Sequence, residues 1–188
     1  MYCSTNYKLT SLDISPLLDL SILSCESNHR MGNLILGSHS KLDYLNIAFV
    51  PIVAPDFTKM PNLSHLNIAF TKFSAIDPWP LKKLRYIEMY QAEMPTIDLS
   101  ANLELEVIDL GETRLVNIDL THNKKLKQIY CQHQSNLISL DLRDKAIETC
   151  LANNCDNLKA ICVDKLPNPS NENWKISEGT KFEVCNGL

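Results

Sequence analysis

The clearest candidates for acid–base chemistry are two carboxylates, Glu88 and Asp109, which stand 21 residues apart in similar segments, LRYIEMY and LEVIDLG. If the two segments form neighbouring strands, the side chains lie close together, and like charges at that distance can shift a pKa. Two acids on an exposed sheet can equally be solvated surface charges. The pair marks a position of interest, and its role stays open.

The histidines give little support for nucleophilic catalysis, which requires a nucleophile, a histidine and an orienting acid that converge. Only His65 and His133 fall on positions expected in strands, and neither has a regularly placed nucleophile beside it. The sequence contains no G-x-S-x-G, P-loop or G-x-G-x-x-G motif, and its five glycines make phosphate-binding loops unlikely to form. We therefore predict a protein that is not an enzyme and uses no cofactor.

The seven cysteines predict packing rather than metal binding. The spacing of Cys150, Cys155 and Cys162 does not match the C-x2–4-C pairs of zinc sites, so no metal ligands are assigned. Cysteines at apolar positions of the repeat are expected in the core; these are Cys3, Cys25, Cys131 and Cys150. Cys162 stands at an outward position and Cys185 near the end of the chain. A disulfide between them is a hypothesis that would tie this end to the last repeat.

A 21-residue repeat organises these residues. The pentapeptide LNIAF occurs at 45–49 and again at 66–70, and the template L-x-x-L-x-L recurs along the chain with steps of 21 residues after a first step of 22. A second apolar triplet follows in most repeats, often reading IDLS, IDLT or LDLR. The stretch from Pro51 to Met60 fits worst and predicts a local loop. The first template position is occupied by Leu20, Leu42, Leu63, Leu84, Leu105, Leu126 and Ile147.

This pattern resembles the leucine-rich repeat, L-x-x-L-x-L-x-x-N/C-x-L. Its length and second half resemble the short bacterial subclass found in surface or secreted proteins of Bacteroidetes. The resemblance implies a leucine-rich-repeat solenoid, a β-rich member of the α/β horseshoe class. It would have a parallel β-sheet on the concave side, short strands or irregular turns on the convex side, and few or no long helices. The ninth-position asparagine stands only at Asn6 and Asn28, so an interrupted asparagine ladder is expected.

The repeats predict one domain with two parts. Residues 1–163 would hold about seven full units of 21–22 residues and a partial N-terminal one. Residues 164–188 would form a C-terminal cap in which Trp174 and Phe182 plug the last repeat. The chain begins inside a repeat without the polar cap that solenoid ends need. We expect Met1 to be a fragment boundary or this end to be covered by another subunit through self-association; a genuine start with a frayed first turn is the alternative.

Outward positions of the concave sheet are expected at the third, fifth, seventh and eighth places of the template. Between residues 22 and 154 these columns contain no Lys or Arg, and the net charge is −4, so nucleic acid is not expected as a ligand. Aromatic residues cluster there on three adjacent strands with acids beside them. They can bind a ligand, or they can only pack the sheet. The expected ligand-binding residues are Tyr44, Asn46, Phe49, His65, Asn67, Phe70, Tyr86, Glu88, Tyr90, Asp109 and Glu112.

We predict a non-enzymatic recognition module of a bacterial surface or secreted protein, which binds a protein, peptide or glycan on the concave sheet. The alternative is a structural spacer with no ligand of its own. A location outside the cytoplasm follows from the resemblance alone, because the N-terminus lacks the pattern of a signal peptide. No apolar run approaches the roughly 18 residues of a membrane span.

Overall fold

The apolar triplets of the repeat fold into short parallel strands that stack into a solenoid of about eight coils. The structure is a computed structural model and describes residues 1–185. In chain order its strands are β1 (Ser11–Asp13), β2 (Ile22–Ser24), β3 (Asn33–Ile35), β4 (Tyr44–Asn46), β5 (His65–Asn67), β6 (Tyr86–Glu88), β7 (Val107–Asp109), β8 (Gln128–Tyr130), β9 (Leu140–Asp141), β10 (Thr149–Ala152), β11 (Ala160–Val163), β12 (Trp174–Ile176) and β13 (Lys181–Val184).

Eight of these strands form the main sheet, in the spatial order β12-β10-β8-β7-β6-β5-β4-β2. The opposite wall consists of two smaller parallel sheets, β1-β3 and β13-β11-β9, with irregular turns between them. The only helical segment in residues 1–185 is a 3₁₀ turn at Phe57–Lys59, within the stretch predicted to be a loop. The predicted solenoid class and its near absence of helix are confirmed. No helix in this part of the chain is long and apolar enough to cross a membrane.

The register of the main sheet follows the repeat template. Leu45 lies opposite Leu66, which lies opposite Ile87, and the same column continues with Ile108 and Ile129. Strand side chains alternate between the two faces, so these fourth-position residues point into the core and are nearly or fully buried. Each buried Leu or Ile contributes about 1.5–3 kcal/mol to stability. Third and fifth positions are placed on the other face.

The eighth position of each coil as far as Asn154 adopts the left-handed backbone conformation, with φ between 53° and 60°. Such a conformation costs an L-residue about 1–2 kcal/mol, yet none of these residues is glycine. The backbone N–H donates to the carbonyl of the next coil, as from Phe49 to Ala69 at 3.0 Å and from Phe70 to Tyr90 at 2.8 Å. Stacking therefore holds the turn in place. The row consists of Thr5, Ser27, Phe49, Phe70, Gln91, Glu112, His133 and Asn154.

The aspartates of the IDLS and IDLT segments form turns on the opposite wall. Asp98 Oδ1 accepts the backbone N–H of Ser100 at 2.9 Å, and Asp119 Oδ1 accepts that of Thr121 at 2.9 Å. Hydrogen bonds favour the ionised carboxylate, so the side chain and then the backbone N–H of Ser100 lower the pKa of Asp98, and the backbone N–H and then the side chain of Thr121 lower the pKa of Asp119. The recurrent aspartate is thus a local turn former. The same turn occurs at Asp13, Asp77 and Asp141.

Buried side-chain amides connect successive coils. Asn28 Nδ2 donates to the carbonyls of Cys25 and Cys3 at 2.6 and 3.0 Å, as the asparagine ladder predicts. Other polar groups replace Asn at the same ninth position, such as the hydroxyl of Thr71 and the amide of Gln134. Asn102 and Asn123 form a second ladder at another position of the coil, which the sequence analysis did not anticipate.

The segment predicted to be a C-terminal cap contains β12 and β13, which add one more coil to the solenoid. β12 pairs with β10 in parallel, and Trp174 lies opposite Cys150. The rings of Trp174 and Phe182 pack edge to face at 5.4 Å against the end of the core. Residues 186–188 of the predicted cap lie outside the described residues.

Cys162 and Cys185 are joined in the structure, with an S–S distance of 2.08 Å and a Cα–Cα distance of 5.4 Å. Cys162 lies in β11 and Cys185 follows β13, so the bond crosses between the two paired strands. We expect Cys185→Ser to lower the free energy of unfolding by about 3 kcal/mol, because the bond restricts the unfolded chain. Denaturant unfolding of both proteins measures this. Alkylation of the unfolded chain should modify five cysteines without reductant and seven with it; seven in both cases would contradict the bond.

The energetic cost of the left-handed backbone conformation can be measured at two residues of this row. Ser27 makes no side-chain hydrogen bond to the described residues, so Ser27→Gly should relieve the backbone cost and raise stability by about 1 kcal/mol. Phe70→Gly relieves the same cost but removes a ring packed between Phe49 and Tyr90, so it should destabilise the protein. Thermal unfolding of both variants compares the two effects. Destabilisation by Ser27→Gly would contradict the proposed backbone cost.

Candidate functional site

Two rows of aromatic rings cross the outward face of the main sheet, which we call the open face. The inner row holds the third-position rings of Tyr44, His65 and Tyr86, with centroids 5.9 and 4.2 Å apart. The rim row runs through Phe49, Phe70 and Tyr90, with centroids 3.9 and 5.3 Å apart. His29 and Tyr7 extend the rim row in the two preceding coils. This extension was not predicted from the sequence, because both residues stand at the tenth place of the template, after the columns expected to face outward.

The stacked rings contribute to packing, and they are also partly exposed. His65 and Tyr86 lie nearly parallel, with an interplanar angle of 12°, and so do Phe49 and Phe70 at 14°. Such pairs contribute about 0.5–1.5 kcal/mol each beyond area burial. Because the ring faces cover one another, a ligand on this surface would meet mainly ring edges and tyrosine hydroxyls. Packing and binding are therefore compatible roles for these residues.

The asparagines of LNIAF form turns at the ends of their strands. Asn46 Oδ1 accepts the N–H of Ala48 at 3.1 Å, and Asn67 Oδ1 accepts that of Ala69 at 2.9 Å. Asp109 accepts the N–H of Gly111 in the same way at 2.9 Å. The side chain of Asn46 also donates to Glu26 and is 5% exposed. Asn46 therefore serves the fold and offers little surface to a ligand.

The seventh position does not face outward where it holds a small residue. Ala48 and Ala69 are buried, so the sequence expectation for this column is wrong at these two positions. A Cβ added at Gly111 would lie 2.6 Å from Cδ2 of Tyr90 and 3.3 Å from Oδ1 of Asp109. The Tyr90 ring thus lies on the glycine. Glycine is required at this position because the ring of the preceding coil covers the backbone.

Two carboxylates of the open face, Glu88 and Asp109, form no ion pair with the described residues. Glu88 lies opposite Asp109 in the paired strands β6 and β7. Burial raises the pKa of Glu88, and the neighbouring charges of Asp109 and Glu26 raise it further, while the hydrogen bond from Asn67 opposes them. Burial also raises the pKa of Asp109, against the hydrogen bond from Gly111. Beside the aromatic rows, the guanidinium group of Arg85 lies over the ring of Tyr86 at 5.4 Å and pairs with Glu106 instead.

Glu112 differs from this pair because it is hydrogen-bonded at the rim. The hydroxyl of Tyr90 and the amide of Gln91 both donate to its carboxylate. These bonds lower the pKa of Glu112 and raise the pKa of Tyr90 to about 12. Glu112 therefore remains charged and fixes the Tyr90 ring at the end of the rim row.

His65 has a nucleophile beside it, contrary to the sequence analysis. Ser64 Oγ lies 2.5 Å from Asp43 Oδ1 and 2.6 Å from His65 Nδ1. A hydroxyl has one proton, and the carboxylate of Asp43 can only accept it, so the serine accepts from His65 Nδ1–H. This is not the order of a catalytic triad, in which the histidine accepts the proton of the serine. Burial also lowers the pKa of His65, and Ser64 is itself buried.

The remaining cysteines line the core. Cys25, Cys131, Cys150 and Cys155 are fully buried and Cys3 is partly buried. Among the described residues, no group of three His, Cys, Asp or Glu side chains is arranged to hold a metal ion.

Comparison with known proteins shows similarity at the level of fold. The functional domain of InlJ from Listeria monocytogenes, described as including a cysteine ladder, is 21% identical, covers 87% of this chain and has a TM-score of 0.58. This chain spans about half of that one, 48%. Internalin C2 from the same species is 16% identical, with a TM-score of 0.48 and coverage of 79% of this chain and 83% of its own.

A leucine-rich-repeat protein from Leptospira interrogans is 14% identical, with a TM-score of 0.41 and coverage of 94% and 73%. No protein-family model and no curated protein matches the chain. The solenoid with a period of about 21 residues thus has leucine-rich-repeat proteins as structural neighbours. These neighbours do not support an assignment to the Bacteroidetes subclass.

The acid pair predicts an unusual pH response. Asp109→Asn keeps the oxygen that accepts from Gly111, as Asn46 and Asn67 do, and removes a charge. Because the folded-state pKa of Asp109 is raised, its ionised form costs stability at neutral pH, and the cost is absent below the unfolded pKa of about 3.9. The variant should therefore melt at a higher temperature than wild type at pH 7 and at the same temperature near pH 3. A variant that is less stable at pH 7 would contradict this.

Proposed function

We propose that this chain is a non-enzymatic recognition module of a bacterial surface or secreted protein and that its open face binds a protein or peptide partner. The observation that carries the proposal is the set of partly exposed aromatic rings on adjacent coils beside Glu88 and Asp109, two carboxylates that form no ion pair with the described residues. Aromatic residues are enriched in the energetically important parts of protein interfaces. A rigid sheet also presents them at little cost in conformational entropy on binding.

Charge indicates what such a partner presents. Glu88, Asp109 and Glu26 lie close enough for their charges to repel, and the outward columns between residues 22 and 154 hold no Lys or Arg. A partner segment with Lys or Arg side chains would neutralise these acids when it binds. Complementary charge favours encounter and excludes partners of the wrong sign. We therefore propose a partner whose contacting surface is basic.

The proposed location outside the cytoplasm is supported by the cysteines. The bond between Cys162 and Cys185 joins the last coil to the preceding wall, and disulfides persist in oxidising compartments. The likeness to the InlJ domain concerns the fold and gives no partner for this chain.

The second candidate function is a structural spacer that presents another domain and has no ligand of its own. The stacking of the rings favours it to the extent that the aromatic rows already have a role within the sheet. The spacer leaves the unpaired acids without an explanation, and for that reason we favour recognition.

Charge reversal distinguishes the two functions. Glu88→Lys changes the open face, whereas Glu93→Lys makes the same change at an exposed residue that pairs with Arg114 away from the acid pair. We expect proteins captured from an extracellular extract by the wild-type chain to be retained by Glu93→Lys and reduced at least about tenfold, 1.4 kcal/mol, by Glu88→Lys. Quantitative mass spectrometry measures the capture, and melting temperatures verify folding. Equal capture by both variants would support the spacer.

A further inference from the structure

A polar depression lies beside the inner aromatic row, at the edge where the chain enters the strands of the main sheet. Its volume is about 460 Å³, within the range of small-molecule sites. Residues of four adjacent coils line it, and their side chains are charged or hydrogen-bonding. The lining includes Asp43, Ser64, His65, Lys83, Arg85 and Glu104.

The depression offers both hydrogen-bond donors and acceptors. Lys83 has no ion-pair partner among residues 1–185, so its ammonium group can donate. The guanidinium group of Arg85 contacts Glu106 through Nε and Nη2, and its Nη1 makes no hydrogen bond to the described residues. Asp43 uses one carboxylate oxygen for Ser64 and retains the other as an acceptor.

The histidine completes this set with an acceptor. His65 Nδ1 is occupied by Ser64, and burial favours the neutral imidazole. The proton therefore lies on Nδ1, and Nε2 carries a lone pair that can accept a hydrogen bond. The donors and acceptors are distributed over four adjacent coils, and groups of opposite charge alternate along the lining.

This lining disfavours a charged ligand. A phosphate or carboxylate can only accept hydrogen bonds, and Asp43 would repel it, whereas Glu104 is neutralised by its ion pair with Lys125. An ammonium or guanidinium group can only donate, and Lys83 and Arg85 would repel it. A hydroxyl group both donates and accepts, so neighbouring hydroxyls can bridge Lys83 and the free carboxylate oxygen of Asp43. We propose that the depression is a binding site for a neutral saccharide.

A peptide fits the site less well, although its backbone also donates and accepts. Extended peptides usually bind by adding a strand to a free sheet edge. The strands beside the depression, β4, β5 and β6, are each paired on both sides. No strand edge is open here, so the ligand is bound by side chains alone.

The saccharide site is independent of the proposed protein recognition. Neither Glu88 nor Asp109 lines it, and it shares only His65 with the expected ligand-binding residues of the open face. Loss of either function would leave the other intact.

Two adjacent lysines provide a matched test. Lys83 lines the depression. Lys82 does not line it, and its Nζ lies 3.5 Å from the centroid of the Trp79 ring. The full chain is applied to an array of neutral and acidic oligosaccharides, and Kd for the strongest neutral one is measured by calorimetry. We expect Lys83→Ala to weaken binding at least about tenfold and Lys82→Ala to bind as wild type does. Both lysines are exposed, so neither change should prevent folding, which melting temperatures verify.

A second variant distinguishes a neutral ligand from a negatively charged one. Asp43→Asn keeps an oxygen for Ser64 and replaces the free carboxylate oxygen by an amide donor. It should weaken binding of a neutral saccharide and would strengthen binding of an anion. Binding of no neutral oligosaccharide by the wild-type chain, binding of acidic ones only, or equal affinities of Lys83→Ala and Lys82→Ala would each overturn the proposal. Glu88→Lys should leave saccharide binding unchanged, so the protein-recognition proposal can fail separately.

Discussion

The parallel hydrogen bonds between successive coils are the constraint on which the rest of this structure depends. They fix the register, so that each residue lies opposite its equivalent in the next repeat. A residue type that recurs at one template position therefore forms a row of like side chains across the coils. The same stacking holds the eighth residue of each coil in the left-handed conformation that turns the chain away from the strand. Core columns, turn residues and aromatic rows are all consequences of that register.

Much of the fold could be predicted from sequence because the period places Leu and Ile at the positions that become buried. Leu45 and Leu66 follow directly from the template, and so does the placement of Tyr44 and Glu88 on the other face of the sheet. The left-handed row could not be predicted, because glycine is its usual signal and here the row contains Phe49 and Phe70. The last coil was missed for a similar reason, since β12 follows after a longer step and has no L-x-x-L-x-L pattern.

Prediction of the site was less complete. Tyr44, His65 and Tyr86 do lie together, as do Phe49, Phe70 and Tyr90. Asn46 and Asn67 have turn-forming roles that depend on an Asx hydrogen bond, and a column pattern cannot distinguish such a bond from an outward-facing amide. The contact between Ser64, Asp43 and His65 was missed because Asp43 and Ser64 occupy the second template position, which was not among the columns expected to face outward. LNIAF recurs because Asn makes the turn, Ala fits beneath it, and Phe continues the rim row.

At several positions of the open face, another residue type would form the same turn at a lower cost in folding free energy. Asparagine at position 109 would accept the same hydrogen bond as aspartate without a buried charge, and glycine at position 49 would adopt the same backbone without strain. The most direct measurement of this cost is a pH titration of the side-chain carboxyl groups by carbon-13 NMR. Asp109 and Glu88 should titrate above the ordinary pKa of their residue types, and Asp98 and Asp119 below it. Ordinary pKa values for all four groups would contradict the desolvated, unpaired acid pair on which the proposed recognition face rests.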